Sequence, residues 1–585
     1  MPFFPNPTLI GGDGALAAGI WSRLRRNGLA VRLLPTADLT ARRLRRADTL
    51  ILADPEDPAA VVAQVLALCA SRHRRRPALR LILAQRGAMP RGLPADLPSD
   101  LPGSPEWARA QVEGFALEAQ AARALLAAHP MHAGLDPLYG QVPHLLIAGA
   151  APPALALLAQ ALRLGHYTEA SPVFTLAADD PDAWRGLALA AFPKAELSGN
   201  LRFTGLPDPD LLGAPPVTGV WVFVDPPETG LDVARRLTTV LRERQGGSPP
   251  IYLDVGNAVP LGRIEDWDGQ IIPVSWLAAA CTALLGGSGD ELAQVIHDHY
   301  RDTTEAQGRD PAGEPAGRPW GLLDASYRDA SRHQADHLWA KLAASDCRAV
   351  PLEEAPAFAF APLEVERLAE VEHRRWAADR HLNGWTYAPV RDNALRRHPQ
   401  LVPYGDLSEP MRDLDRYVVR LIPTLLARSG RALVRSLVLG LGPQVQTAGA
   451  DHRTRRLVDT CLGRLCERYP DRGLVLATTL GDPLSRLVAK RALEGFDAAL
   501  WLLCPGPLPD LLAAQPDMAA RRELLGLVER AERRIALAGE AGLADWLARR
   551  AQILMLCCEA PTPMAPAKQV RLDPARRALT WGFEY

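Results

Sequence analysis

Short apolar runs alternate with amphipathic stretches along the first part of the chain. The stretch TLIGGDGALAAGIWSRLRRNGLAVRLL predicts a short strand, a glycine turn, an amphipathic helix and a second strand. Further strand patterns follow at 47–54 and 79–85. Strands that alternate with helical stretches predict a parallel sheet covered by helices. Residues 103–130 predict one long helix that joins this unit to the next.

The same alternation begins again with PHLLIAGAAPPALALLAQALRLGHY, which gives a strand, a turn and a helix. An acidic pair closes the next strand, VFTLAADD. Three further strand patterns complete a second sheet, at 219–225, 249–255 and 269–276. The pattern therefore predicts an α/β protein with two Rossmann-like parallel-sheet units, at 1–135 and 136–284.

The first glycine turn contains candidate nucleotide-binding residues. Gly12, Gly14 and Ala17 satisfy G-x-G-x-x-[G/A], a pattern that makes a tight turn and presents helix N–H groups to phosphate. The acid expected after the second strand is missing, since the chain reads LLPTAD there. Close packing without a ligand explains the same residues, so both interpretations stay open. The second unit keeps only Gly149 of the pattern and adds two prolines, which favours a structural role there.

These two units resemble the duplicated nucleotide-binding domains of TrkA-type potassium-uptake regulators, over about residues 5–280. The resemblance depends on architecture more than on an intact motif. It implies Rossmann-like folds with a nucleotide as the candidate ligand.

The chain beyond residue 285 is helical and contains an internal repeat. Residues 292–300 read LAQVIHDHY and residues 368–376 read LAEVEHRRW. Residues 319–332 read PWGLLDASYRDASR and residues 403–416 read PYGDLSEPMRDLDR. Without gaps, the two stretches share six identical residues and one aromatic position, or about half of their length. The first copy is shorter by about eight residues, where the second contains NGWTYAPVRD. Duplication followed by decay of one copy explains this pattern.

The second copy resembles the RyR domain, the small helical repeat named after ryanodine receptors and also found in bacterial proteins. The matching positions are Glu372, His373, Trp376, Gly384, Trp385, Tyr387, Arg391, Asp392, His398, Pro399, Leu401, Val402, Pro403, Tyr404, Leu407 and Asp415. One departure is Ala388, where a glycine is common in the family. The resemblance implies an α-helical tandem module, with a degenerate RyR-type repeat at 285–350 and an RyR domain at 351–430.

The residues of the second copy can also be interpreted without the family. On a helix, one stripe is apolar and its neighbour is mixed, the latter formed by Glu372, His373, Trp376 and Arg380. Asn383-Gly384 predicts the end of that helix, with glycine at C′. Flat aromatic faces beside a guanidinium and carboxylates suit a heteroaromatic ring with its phosphate or ribose. The candidate ligand-binding residues are Glu372, His373, Trp376, Trp385, Tyr387, Arg391, Asp392, His398 and Tyr404.

A purely structural role for those residues stays open, because aromatic side chains often supply the core of a small domain. In that interpretation Trp376 and Trp385 are core residues, and Glu372 forms a structural pair with an arginine.

The C-terminal part reads GLVLATTLGDPLSRLVAKRALEGFDAALWLLCPGPLPD, which predicts strand, polar loop, helix and strand. Gly481, Asp482, Ser485 and Arg486 form a candidate nucleotide site at the helix N-terminus, although a structural turn needs glycine as well. The pattern resembles the SLOG superfamily of Rossmann-like domains, which implies such a domain at 431–585. The glycine-rich late loop and the catalytic glutamate of the hydrolase branch are missing, and both gaps favour binding over catalysis.

Composition narrows the classes of function. A formal net charge of -1 gives no global field for nucleic acid or an anionic membrane. We expect neither a signal peptide nor a membrane span, and eight scattered cysteines without a C-x-x-C pair suit a reduced cytoplasmic protein. We also expect no metal site, although a cluster is conceivable for His297, His299, His333, Asp336 and His337.

Together these inferences predict a cytoplasmic sensor that binds a nucleotide or nucleotide-derived signal and passes it to a protein partner. A membrane channel and a defence effector are the candidate partners, and homo-oligomerisation stays open. No catalytic residues are predicted. The alternatives are a nucleotide or N-glycoside hydrolase that uses the C-terminal cleft, and a scaffold without a ligand.

Overall fold

The computed structural model describes most of the chain as three largely parallel sheets and a helical module. The described residues are 8–69, 77–87, 110–206, 209–210, 215–245, 249–256, 271–286, 289–352, 357–441, 452–556, 568–573 and 578–581. The predicted α/β class is confirmed by these sheets. Within those ranges, no helix combines the length and the apolar character needed to cross a bilayer.

The first unit is a five-stranded parallel sheet in the order β2-β1-β3-β4-β5, which is the flavodoxin-like arrangement. Apolar side chains of its strands fill a core on each face of the sheet. The unit consists of β1 (Thr8–Gly11), α1 (Ala15–Arg26), β2 (Val31–Leu34), α2 (Ala41–Leu44), β3 (Thr49–Ala53), α3 (Pro58–Cys69), β4 (Leu79–Gln85), β5 (Ala110–Ala116) and α4 (Leu117–Ala128).

The long helix predicted over 103–130 is confirmed over Leu117–Ala128, which form α4, and is wrong over the seven described residues before it. Residues Ala110–Ala116 form β5, which pairs in parallel with β4 from Ala110 opposite Leu79 onwards. These residues form a strand and not a helix because the open edge of β4 can hydrogen-bond to a fifth strand. Such tertiary pairing overrides a weak local preference for helix. Residues 103–109 of that prediction lie outside the described residues.

The second unit is a six-stranded parallel sheet in the order β8-β7-β6-β9-β10-β11. Numbered within the unit, this is the 3-2-1-4-5-6 order of dinucleotide-binding Rossmann folds. Strand β8 was not anticipated from the sequence; it lies at the edge and is only partly buried. The unit consists of β6 (His144–Ala148), α5 (Pro152–Leu164), β7 (Val173–Ala178), α6 (Pro181–Ala191), β8 (Asn200–Gly205), β9 (Gly219–Val222), α7 (Pro227–Gln245), β10 (Ile251–Asp254) and β11 (Ile271–Val274).

Helix α8 (Trp276–Gly286) follows the second sheet in the chain but packs on the first. Its buried Leu277 and Cys281 share a core with Ile20 and Leu24 of α1. The predicted border at 284/285 therefore falls inside a helix that fastens the two units together.

The helical module consists of α9 (Glu291–Ala306), α10 (Ala325–Ala344), β12 (Cys347–Pro351), α11 (Pro362–Leu382), β13 (Thr386–Tyr387), β14 (Arg397–His398) and α12 (Glu409–Arg428). Its two halves repeat the same contacts. The imidazole Nε2 of His297 lies 2.7 Å from the carbonyl oxygen of Arg318, and that of His373 lies 2.8 Å from that of Val402. A second pair of contacts, Arg332 with Asp290 and Arg416 with Glu366, is likewise equivalent.

The C-terminal sheet has the order β18-β17-β16-β15-β19-β20-β21, and β12 of the helical module also pairs with β15. That pairing is antiparallel, with Cys347 opposite Arg435, so the module and the last domain share one sheet. The predicted border at 350/351 thus cuts β12. The domain consists of β15 (Arg431–Leu441), α13 (His452–Arg468), β16 (Arg472–Thr478), α14 (Pro483–Gly495), β17 (Ala499–Cys504), α15 (Leu508–Ala513), α16 (Met518–Glu529), β18 (Arg533–Ala536), α17 (Gly539–Arg550), β19 (Ile553–Leu556), β20 (Lys568–Asp573) and β21 (Ala578–Trp581).

Candidate functional site

The end of α11 folds the chain back over its own last turn. Gly384 has φ +78°, a left-handed conformation that glycine adopts without strain. The N–H of Trp385 donates to the carbonyl of Arg380, and the N–H of Gly384 donates to that of His381, both at 2.9 Å. These two bonds form a Schellman motif, which confirms the predicted C′ glycine. The turn places the indole of Trp385 against the helix that precedes it.

Four side chains meet at this turn and are called here the aromatic–guanidinium cluster: Trp376, Arg380, Trp385 and His398. The guanidinium carbon of Arg380 lies 5.7 Å from the ring of Trp376 and 5.2 Å from that of Trp385. The His398 ring meets the Trp376 ring edge-on at 4.9 Å. The short parallel pair of β13 and β14 holds His398 in place. One cation is therefore held between two indole rings.

Arg380 lacks a local counter-charge. Its buried Nε has no hydrogen-bond partner among the described residues, and no described carboxylate forms an ion pair with it. Burial lowers the pKa of this guanidinium, even though Asp379 next to it acts in the opposite direction. That carboxylate is already engaged by Arg163 at 3.0 Å and by His333 at 2.9 Å. A desolvated cation of this kind gains from an anionic ligand.

His398 is a neutral donor in the cluster. Burial lowers its pKa to about 4, and the positive charges of Arg391 and Arg380 act in the same direction. Its Nδ1 accepts the N–H of Gln400 at 3.2 Å, so the proton of the neutral ring is on Nε2. The Nε2–H is therefore available to an acceptor.

The rim of the cluster is open to solvent. Tyr387 is 56% exposed, and Arg391 is exposed with its Nε donating to the side chain of Asn393 at 2.9 Å. Asp392 has a local role, since its carboxylate accepts the N–H of Leu395 at 2.9 Å. Tyr387 and Arg391 are thus free to contact a ligand, whereas Asp392 shapes the loop.

Other predicted binding residues are buried in contacts between helices. The Glu372 carboxylate lies between Lys341 and Arg375, at 2.6 Å and 2.8 Å. The His373 ring lies between the Asp415 carboxylate and a backbone carbonyl. The Tyr404 hydroxyl donates to Glu366 at 3.0 Å. In this conformation, these three side chains hold the module together.

Sequence reasoning placed Arg380 on the mixed stripe of the helix but did not select it as a site residue. The available signal was its spacing, four residues after Trp376 and five before Trp385. In a helix that ends at glycine, this spacing lets one guanidinium contact both rings.

The glycine turn of the first unit is shaped by packing at one end and open at the other. A Cβ on Gly12 would lie 2.8 Å from the Cβ of Ala17, so this pair lets strand and helix approach closely. Gly14 caps α1 and faces open space. The Asp13 carboxylate between them accepts the N–H of Thr36 at 3.3 Å, which places a negative charge at the turn.

The polar side chains of the predicted C-terminal site already form hydrogen bonds with one another and with neighbouring protein groups. Asp482 accepts the N–H groups of Leu484 and Ser485 at the start of α14, and the Ser485 hydroxyl accepts the N–H of Asp482. Arg486 is buried and donates to the carbonyl of Leu480 and to two side chains. A Cβ on Gly481 would make only ordinary van der Waals contacts, the nearest 3.6 Å from the Thr479 hydroxyl oxygen. The stretch PTPMAPA, which replaces the expected late loop, lies outside the described residues.

The histidines considered for a metal have other partners. His337 Nε2 lies 2.9 Å from the carbonyl oxygen of His166, and Asp336 binds Arg123 at 2.8 Å. Over the ranges that the structure describes, no three His, Cys, Asp or Glu side chains are grouped as metal ligands.

One part of the chain matches a known protein family. Residues 362–433 match the RyR domain family, which confirms the resemblance over α11, α12 and the start of β15. The match covers the aromatic–guanidinium cluster. The TrkA-type and SLOG resemblances stay predictions.

Solved structures give only weak likenesses. An ornithine carbamoyltransferase from Pyrococcus furiosus is 12% identical, with 48% of this chain and 82% of that chain covered at a TM-score of 0.23. An ABC-transporter solute-binding protein from Aeropyrum pernix K1 is 11% identical, with 64% and 99% covered at 0.23. The apo D-mandelate dehydrogenase from Rhodotorula graminis is 12% identical, with 48% and 91% covered at 0.18. TM-scores this low carry no argument about function.

Proposed function

We propose that the chain is a ligand sensor whose aromatic–guanidinium cluster binds a nucleotide or a nucleotide-derived anion. The observation that carries this proposal is Arg380, a guanidinium between two indole rings whose buried Nε has no partner among the described residues. An anion at this position supplies the missing acceptor, and a charge-assisted hydrogen bond is stronger than a neutral one.

The groups around Arg380 fit both parts of a nucleotide. The rings of Trp385 and Tyr387 offer flat faces for a base, and Tyr387 is mostly exposed. Arg380 and Arg391 supply positive charge for phosphate, and the Nε2–H of His398 supplies a neutral donor. Stacking on an aromatic face contributes about 1–3 kcal/mol per base. The site thus combines stacking with recognition of charge.

Binding at the cluster has a direct connection to the second sheet unit. Asp379 precedes Arg380 in α11 and is held by Arg163 of α5 and His333 of α10. A ligand that moves the end of α11 therefore alters an ion pair between the module and that unit. A sensor needs such a link, because a ligand shifts an equilibrium only through contacts that differ between two states. The partner that receives the signal, a channel or an effector, is part of the proposal.

The hydrolase alternative has no specific observation in its favour. Asp482, Ser485 and Arg486 satisfy one another or their neighbours, as described above. These contacts are those of a stable helix start.

Calorimetric titration tests the proposal. The full chain is titrated with ATP, ADP, AMP, NAD and cyclic dinucleotides, and each mixture is then checked for hydrolysis products. We expect Arg380→Gln and Trp385→Ala to weaken binding about 5- to 150-fold, since each removes about 1–3 kcal/mol of contact. Arg25→Gln is the matched control, because Arg25 also lies 5.2 Å from a tryptophan ring, that of Trp21, in the first unit.

Two outcomes contradict the proposal. One is that no nucleotide of the panel binds the wild-type chain. The other is that Arg380→Gln binds as tightly as Arg25→Gln. Release of free base or phosphate by the wild-type chain would favour the hydrolase instead.

A further inference from the structure

A cavity of about 500 Å³ lies where the helical module meets the C-terminal sheet and the link between the first two units. It is separate from the aromatic–guanidinium cluster and does not depend on it. The residues used below come from the link, α11, β15 and β16: Leu138, Glu364, Arg367, Arg435, Ser436 and Arg472. Its volume lies within the roughly 300–1,000 Å³ typical of small-molecule sites.

The acidic residues of the cavity are already neutralised. Glu364 binds Arg435 through two contacts, with Nη2 to Oε2 at 2.6 Å. The hydrogen bonds from Arg435 lower the pKa of the Glu364 carboxyl, so it stays ionised. Asp346, which also lines the cavity, accepts two bonds from Arg550, at 3.2 Å and 3.3 Å. Both carboxylates are therefore already engaged by a guanidinium group.

Three guanidinium groups and two carboxylates line the cavity, so its lining has an excess of one positive charge. Arg367 donates to the carbonyl of Ala344 at 2.8 Å, and Arg472 donates to that of Ser436 at 3.5 Å. In the part of the chain that the structure describes, neither one forms an ion pair with a carboxylate. Both are exposed, so they can turn toward a ligand without breaking a buried contact. The cavity lining thus carries a net positive charge.

The start of α11 adds to this field. The helix begins at Pro362, and its first turn, including Leu363 and Glu364, lines the cavity. The N-terminal end of a helix carries a partial positive charge of about half a unit. Ser436 of β15 also lines the cavity, and its carbonyl accepts from Arg472. These groups together favour an anion with several oxygen acceptors.

We infer that this cavity binds a multiply charged phosphate compound, which joins α11 to β15 and β16. Guanidinium groups match phosphate oxygens in pairs, which suits Arg367 of α11 and Arg472 of β16, both of which line the cavity. Because Leu138 also lines the cavity, the bound phosphate lies at the junction of three parts of the chain. Its binding resists their separation.

Titration of the full chain with inorganic pyrophosphate and, separately, with ADP tests this inference. Pyrophosphate has no ring to stack, but its charge also suits Arg380 of the aromatic–guanidinium cluster, so Arg380→Gln is titrated as well. We expect the double variant Arg367→Gln/Arg472→Gln to weaken pyrophosphate binding at least about tenfold. Trp385→Ala and Arg380→Gln should leave pyrophosphate binding at the cavity unchanged. The charge-matched control is Arg42→Gln/Arg45→Gln, two exposed arginines, the first in α2 and the second directly after it.

The outcomes separate this inference from the proposed function. It is overturned if neither compound binds the wild-type chain, or if pyrophosphate binds the double variant as tightly as the control variant. Binding of ADP that is lost in Trp385→Ala and kept in the double variant would assign ADP to the cluster, and the cavity is then judged by pyrophosphate binding alone. Loss in the double variant alone would support the cavity.

Discussion

Replacement of Glu372 by glutamine removes the only negative charge in direct contact with two buried cations, as far as the described residues show. Glu372 is 3% exposed, and its carboxylate lies 2.6 Å from the ammonium of Lys341 and 2.8 Å from the guanidinium of Arg375. Glutamine keeps the shape of the side chain. We therefore expect Glu372→Gln to leave both cations buried without a counter-charge, which destabilises the module.

The size of the effect follows from the pKa of the carboxyl. Burial alone would raise this pKa, but Arg375 and Lys341 overcome that effect and lower it from 4.5 to about 2. A fall of this size corresponds to about 3 kcal/mol of stability at neutral pH. Removal of one partner from a buried ion pair also costs about 3–5 kcal/mol. Because the folded pKa is the lower one, this stability is complete above about pH 4.5 and is lost as the pH falls toward 2.

Hydrogen exchange of the α11 amides measures the opening of this segment even when the domains unfold in separate steps. We expect exchange in Glu372→Gln to be about a hundredfold faster at pH 7. Glu370→Gln is the control on the same helix. Its partner Arg374 lies 3.0 Å away at the surface, so its loss should change exchange only about twofold. Equal acceleration in the two variants would refute a stabilising role for the buried cluster.

Three other substitutions test separate parts of the structure. Gly149→Ala should lower the melting temperature of the chain by several degrees, because φ is +97° and the new Cβ would lie 2.1 Å from the Phe223 carbonyl oxygen. Gly186→Ala is the control, because a Cβ there would enter open space on α6. Calorimetry should show its melting temperature unchanged or slightly raised. Tyr404→Phe should cost about 1 kcal/mol in urea unfolding by loss of the bond to Glu366, whereas unaltered stability would show that bond to be dispensable. Arg391→Gln should move the NMR titration midpoint of His398 upward from about 4, because Arg391 opposes protonation of that ring; an unmoved midpoint would place Arg391 away from the cluster.

Patterns that are local in sequence predicted much of the module and the sheets. The apolar run at 79–85 forms β4 with those same bounds, and α11 ends at Leu382, where Asn383-Gly384 predicted the end of a helix. The internal repeat has a structural counterpart as well. Pro319 and Pro403 start equivalent short turns with nearly identical backbone angles. In each case the signal and the structure lie within a few residues of each other, so a single sequence contains the information.

Local sequence patterns could not predict the features that depend on residues far away in the chain. The stretch AQVEGFA became a strand because β4 presents an open edge, and no local pattern reports an edge. Periodicity placed Glu372 on a mixed stripe, but it could not show that Lys341, some thirty residues earlier, lies opposite the carboxylate. The same limit applies to Arg380, whose role depends on the return of Trp385 over the helix. Charge pairs between helices are therefore the part of this site that sequence reasoning misses.

Helix α11 connects the two proposed sites. Its first turn lines the cavity and its last turn holds the aromatic–guanidinium cluster, and Arg367 and Arg380 are about 20 Å apart at 1.5 Å per residue. Between them Glu372 fixes the helix to Lys341, so the two ends move as one packed body. A ligand at either end then affects the other only if its contacts differ between two positions of the helix, and the effect must be reciprocal. If pyrophosphate strengthens nucleotide binding about tenfold, the nucleotide strengthens pyrophosphate binding by the same factor. Glu372→Gln, which loosens the middle of the helix, should then reduce both factors together.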